Sequence, residues 1–344
     1  MRPTLALLLI VSGCVTPRAA TVAWPAAPAV ERVRLVKTLS GQVDLDGPFA
    51  RLWRNVSGAE APVRLYHPVG VAVTGEGDLV AVTDQALGQL FLFDFAASEV
   101  RTVAKETLGG APVGVSLEGD TAWVVVPARR AALSFSRRGE ARRLISLDDC
   151  ERPVGLAVDA AHDRLYVSDA SSPQGQGHAV HAHALSSGAH VATIGHRGDA
   201  AGQFFFPTFL ALAPDTGLFV ADTMNARVQE LDATGRFVRQ FGERGDQVGQ
   251  FDKPKGIATD SFGNVYVVDS FFSVVQIFNR EGKLLLFFGG RGDSPGFLSN
   301  PAGIAIDAHN RIYVTNALNF RVEVYELVNT TAADSGLSVV TAGR

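Results

Sequence analysis

The residues best equipped for chemistry are crowded into one stretch. His178, His181, His183, His190 and His196 account for five of the chain's eight histidines. The spacing of two puts His181 and His183 on one face of an extended strand, where they are candidate metal ligands. Zinc takes three or four ligands supported by a further shell of hydrogen bonds, so these two need partners. The competing reading is a polar edge strand facing solvent. Cys150 is read as a partly buried structural thiol. No Ser-His-Asp arrangement or paired carboxylate set stands out, and no Cys-x-x-Cys-His site for covalent haem is present. Arg-Gly-Asp occurs three times, at Arg197, Arg244 and Arg291. All three copies fall at one place in a Gly-x-Arg-Gly-Asp-x-x-Gly linker. That regularity predicts a turn in which the aspartate bonds backbone amides, with Phe204, Phe251 and Leu298 packed beneath it.

The elements that position these groups are repeated. Prolines 68, 112, 153, 207, 254 and 301 each open a short apolar run, as in Arg152-Pro153-Val154-Gly155-Leu156-Ala157-Val158-Asp159 and Asn300-Pro301-Ala302-Gly303-Ile304-Ala305-Ile306-Asp307. Their spacings are 44, 41, 54, 47 and 47 residues. A second run follows in every unit, such as Val265-Tyr266-Val267-Val268, and five of the six end on Asp84, Asp169, Asp222, Asp269 or Asn316. Third and fourth runs complete the unit. The runs are too short and too β-branched for helices. Four short strands at this period make a propeller blade.

The pattern Pro-x-Gly-(Ile/Val/Leu)-Ala-(Val/Ile)-Asp, then Tyr-Val-x-(Asp/Asn), then Asn-x-Arg-Val at Asn225 and Asn319, resembles the NHL repeat over residues 33–328. The resemblance implies an all-β fold: a six-bladed β-propeller of four-stranded NHL-type blades. The last unit lacks a fourth run, while Val33-Arg34-Leu35-Val36-Lys37-Thr38-Leu39-Ser40-Gly41 looks like one. An N-terminal strand therefore closes the last blade, which protects both chain ends from presenting a bare edge. Twelve positions separate Gly from Pro in three of the linkers, against 27 between Gly41 and Pro68. The extra segment, within residues 42–67, carries Phe49 and Trp53, which either tuck against the first blade or form part of a partner surface.

Propellers usually bind ligands where the innermost strands meet the channel. The residues before the repeat prolines include His67, Arg152, Phe206, Lys253 and Asn300, with Lys255 two positions further on. This rim mixes basic, aromatic and neutral groups and suits an anion or a peptide carboxylate; a rim that meets only solvent is the alternative. The resemblance also admits an enzyme, since some NHL proteins are peptidylglycine lyases with a channel metal held by histidines of several blades. His67, His162 and His309 depart from that arrangement, occupying non-equivalent places. No cofactor is expected, although Ca or Zn in the channel stays open.

The chain begins with Arg2 and an apolar run over residues 5–11, too short to cross a bilayer but suited to a secretory signal. Val11-Ser12-Gly13-Cys14 resembles the bacterial lipobox, which implies lipidation of Cys14. Residues 1–13 are then a signal peptide, 14–30 an Ala/Pro-rich tether, 31–328 the propeller and 329–344 a polar tail. With 47% hydrophobic residues, 19% charged and a net charge of −4, wholesale disorder and a nucleic-acid footprint are both excluded. The expectation is an exported, lipid-anchored, monomeric propeller in the cell envelope, with an outer-membrane preference. It binds an envelope protein partner; the resemblance permits multihaem cytochromes or envelope assembly systems. A channel-site lyase or hydrolase is the alternative.

Overall fold

The computed structural model describes residues 22–46, 62–172, 175, 177–213 and 217–330. Cys14, Phe49 and Trp53 lie outside the described residues, as does most of the extra segment. The described chain forms six antiparallel sheets arranged as blades. Blade 1 runs from Pro68–Val73 to Glu99–Val103, blade 2 from Val115–Glu118 to Ala141–Ser146, and blade 3 from Pro153–Asp159 to His190–Ile194. Blade 4 spans Pro207–Leu212 to Phe237–Phe241, and blade 5 spans Pro254–Thr259 to Leu284–Gly289. Blade 6 has Pro301–Ile306, Arg311–Asn316 and Arg321–Leu327. Its fourth strand is Val33–Leu39, paired antiparallel with Arg321–Leu327 through Val33↔Leu327 and Leu39↔Val322.

The ring is thus closed by the N-terminal strand that the repeat count requires. A fifth short strand, Ala23–Trp24, is added outside it. It falls within the segment read as a tether. Trp24 packs against Phe288, Phe297 and Tyr325 at centroid distances of 5.8–6.5 Å, so the chain is pinned to the ring from residue 22 onward. Gln42 ties the start of the extra segment to blade 1, accepting from Val100 N–H and donating to Ser98 O.

Six apolar clusters fill the gaps between neighbouring blades. Alternation does the sorting. On the third strand of blade 3, Val180 and Ala182 face blade 4, sharing a cluster with Leu210 and Val220.

The first strands line the channel and touch one another around the ring, which explains the glycine of Pro-x-Gly. A Cβ on Gly155 would lie 2.3 Å from Thr208 O, and one on Gly303 would lie 2.5 Å from Val69 O. Both clashes are with the backbone of the next blade. The approach is held by hydroxyls. Gly303 N–H donates to Thr315 Oγ1, which donates to Val69 O at 2.9 Å; Gly70, Thr83 and Val113 repeat the bridge. Gly303→Ala should therefore cost about 1–3 kcal/mol, the usual range for overpacking. Urea denaturation checks this, since a loss under about 0.5 kcal/mol would mean that the blades can simply slide apart.

Candidate functional site

In five of the six blades the short polar residue ending the second strand positions the mouth of the channel; blade 2 has Val126 and Pro127 there. Asp84 accepts from Tyr66 N–H and His67 N–H. Asp169 accepts from Glu151 N–H and Arg152 N–H, Asp222 from Phe205 N–H, and Asp269 from Asp252 N–H at 2.8 Å. Asn316 Oδ1 accepts from Ser299 N–H. The acceptors are buried, so every bond is made away from competing water. Each clamp fixes the residues preceding a repeat proline and sets the rim side chains in place.

On the face over blades 5 and 6 lies a cavity of about 510 Å³, lined by Lys253, Lys255, Ser270, Phe271, Ser273, Arg291, Ser299, Asn300 and Leu318. Three of the rim residues expected from sequence, Lys253, Lys255 and Asn300, meet here. Arg291, Phe271 and Leu318 were not expected; they come from a linker and from turns after second strands, where the rim rule does not look. His67 and Arg152 are on other blades. Phe206 is occupied with His178, whose Nδ1 accepts from Phe206 N–H and whose ring lies 4.8 Å from it.

The electrostatics of the cavity are one-sided. Among the described residues, no carboxylate lies within ion-pair distance of Lys253, Lys255 or Arg291. Arg291 is directed by a bond from Nη2 to Phe271 O. Burial pulls the Lys255 ammonium below its ordinary range; Asp269 opposes this and Lys253 adds to it. Phe271 and Leu318 are each more than half exposed, and Phe320 stacks on Tyr66 at 5.2 Å on the same face. Phe271 and Leu318 thus stand as exposed apolar groups beside a cationic cavity.

The three Arg-Gly-Asp linkers are turns, each with a bridge from the arginine to the plug residue: Arg197↔Phe204, Arg244↔Phe251 and Arg291↔Leu298. All three plugs are fully buried. The expected role of the aspartates needs correction. In two of the turns the backbone is capped by the glutamine ahead of the plug, with Gln203 accepting from Ala200 N–H and Gln250 from Gln247 N–H. In the first turn the aspartate contributes its carbonyl, which accepts from Arg227 Nη1. Glutamine reaches further, so it closes a wider turn than an Asx motif does.

The histidine strand is also corrected. It is not a polar edge: His181 and His183 are buried, facing blade 2 beside Leu165 and Val167. Asp149 from the preceding linker and His190 from the fourth strand join them. Cys150 is fully buried there, and burial raises its thiol well above the usual range, which makes it inert as a nucleophile. Sequence spacing showed the shared face; which neighbour covers it depends on the linker.

Fold and site together define a six-bladed β-propeller of four-stranded blades with a cationic, aromatic-rimmed mouth. A family described as "Beta-propeller repeat" matches residues 236–268. No curated protein matches the chain. Among solved structures, a streptogramin B lyase is similar at 11% identity and TM-score 0.56, over 77% of this chain and 95% of that one. A gluconolactonase from Xanthomonas campestris is similar at 15% identity and TM-score 0.58, over 91% and 99%. A chain of a nidogen/laminin complex is similar at 17% identity and TM-score 0.54, over 69% and 84%. At these identities the likeness is one of fold, which enzymes and binding proteins share.

Proposed function

We propose that this propeller is a binding module that docks a carboxylate-bearing segment of a protein partner at the mouth over blades 5 and 6. The supporting observation is the trio Lys253, Lys255 and Arg291 around one cavity, with no carboxylate of the described residues within ion-pair distance, beside exposed Phe271 and Leu318. A carboxylate satisfies the cations while apolar neighbours in the same peptide cover the aromatics. The lipobox-like Cys14 supports attachment of this module to a membrane of the cell envelope. Among the described residues no helix is long and apolar enough to cross a membrane.

The test is a titration of fluorescent peptides ending in a free or an amidated C-terminus. The free acid should bind more tightly, and added salt should weaken it through screening. Lys255→Glu should reduce the affinity at least about tenfold, because like charges now face each other in a partly buried site. Binding should also fade as pH rises through the lowered range of Lys255, since only the ammonium attracts the carboxylate. Equal affinity for both peptides would sink the reading, and turnover of a bound ligand would move it to an enzyme. Attachment is checked separately: Cys14→Ser should shift the protein from the membrane to the soluble fraction.

A further inference from the structure

One inter-blade gap departs from the other five in its chemistry. Cross-strand pairing gives the equivalent positions. His183 pairs with Leu165, where the other blades place Phe93, Phe135, Leu231, Phe278 and Tyr325. These are large apolar side chains packed toward the preceding blade. His181 pairs with Val167, the position of Gln229 in blade 4 and Gln276 in blade 5. Those two glutamines latch the preceding linker by donating to Gln203 O at 2.7 Å and Gln250 O at 2.8 Å. Cys150, three residues before Pro153, takes the place of the plugs Phe204, Phe251 and Leu298. Three positions that elsewhere are apolar, amide or, in blade 6, the arginine-paired Glu323 are thus two imidazoles and a thiol here.

Packing does not account for the exchange. Both ring nitrogens of His183 and Nε2 of His181 are buried without a hydrogen-bond partner, and an unsatisfied buried polar atom costs about 1–3 kcal/mol. The ligand atoms are instead gathered around one carboxylate oxygen. Asp149 Oδ2 lies 2.8 Å from His181 Nδ1, 3.3 Å from His183 Nε2 and 3.4 Å from His190 Nε2. The 3.3 Å contact to His183 is close but lacks hydrogen-bond geometry. Thr193 Oγ1 bridges His181 Nδ1 and His190 Nε2. Donor atoms about 3.3 Å apart are what a tetrahedral ion with bonds of about 2.0–2.1 Å requires.

We propose that Asp149, His181 and His190, with His183 beside them, bind a divalent transition metal ion of the zinc class between blades 2 and 3. Imidazole-rich donors suit zinc-like ions, whereas calcium and magnesium take oxygen ligands. Burial holds His181 and His183 below the usual imidazole range, favouring the neutral form that ligates. Asp149 and His190 are partly exposed, which leaves an entry path. The ion takes over the task of the glutamine latch, fastening the linker that carries Asp149 to the third and fourth strands of blade 3. The site is separate from the mouth over blades 5 and 6.

The experiment is a calorimetric titration of the full chain with zinc after dialysis against a chelator, paired with thermal unfolding with and without zinc. One zinc per chain and a raised unfolding midpoint are expected. His190→Asn, at a partly exposed position that leaves the core intact, should weaken binding by about a hundredfold, at least the loss seen for outer-shell partners. His181→Gln, which installs the latch residue of blades 4 and 5, should fold and lose both binding and the midpoint shift. Absence of stoichiometric binding overturns the proposal. So does zinc binding that survives His190→Asn and Asp149→Asn unchanged, because the ion would then sit on other histidines.

Discussion

A chain lacking residues 1–39 is expected to lose cooperative unfolding altogether. Val33 and Leu39 are fully buried, and burying such side chains contributes about 1.5–3 kcal/mol each. Removing their strand also strips the pairing along Arg321–Leu327 and the aromatic lid of Trp24 over Phe288 and Tyr325. The summed loss, above about 5 kcal/mol, reaches the 5–15 kcal/mol stability of a typical domain. It also leaves a bare edge in blade 6, a template for association. Circular dichroism during a urea titration should show a broad, early loss of signal, and light scattering should rise. Supplying residues 22–39 as a peptide should restore part of the transition. An unaltered sharp transition in the shortened chain would mean that the ring does not depend on this closure.

Arg227→Ala is expected to cost about 3–5 kcal/mol, the range for breaking a buried ion pair by removing one partner. Its guanidinium makes five hydrogen bonds: to Asp222 Oδ2 and Gln240 Oε1, and to the carbonyls of Asp199, Ala200 and Gln203 in the first Arg-Gly-Asp linker. Both charged side chains are buried. Burial already raises the Asp222 pKa despite the amide, Asn225 and Arg227, so loss of the cation leaves its carboxylate exposed to that penalty in full. A raised folded-state pKa means that the folded form holds the proton over a pH range where the unfolded form has lost it. The variant's deficit should therefore shrink as pH falls through the raised Asp222 range and be largest above it. Arg244→Ala is the contrast. Its pair with Asp252 is exposed, and such pairs contribute about 0–1 kcal/mol. Urea denaturation of both variants at several pH values separates the cases; equal costs would show that the buried network is not what holds the linker.

Much of the candidate site was readable only in part. Lys253, Lys255 and Asn300 were legible because a rim position is fixed by distance from a repeat proline, and Asp269 and Asn316 clamp those positions from across the blade. Arg291, Phe271 and Leu318 were not, since each reaches the cavity from a different connection, and turns from adjacent blades meet only in the closed ring. The histidines show the same limit. Their shared face follows from a period of two, but burial of that face depends on Asp149 and Cys150, some thirty residues earlier.

The sequence alone determined the blade count, the four-strand unit and the strand borrowed from the N-terminus. Each of these is written in local apolar runs and turn residues, whose period depends only on backbone geometry. The tertiary structure decided what the polar residues do. It made Asp84, Asp169, Asp222 and Asp269 clamps on the rim, three of which also accept from an amide of the turn that follows, and it turned an apparent edge strand of histidines into a buried cluster. The reason is physical: a side chain's role here depends on which neighbour excludes water from it, and that neighbour belongs to another blade or linker.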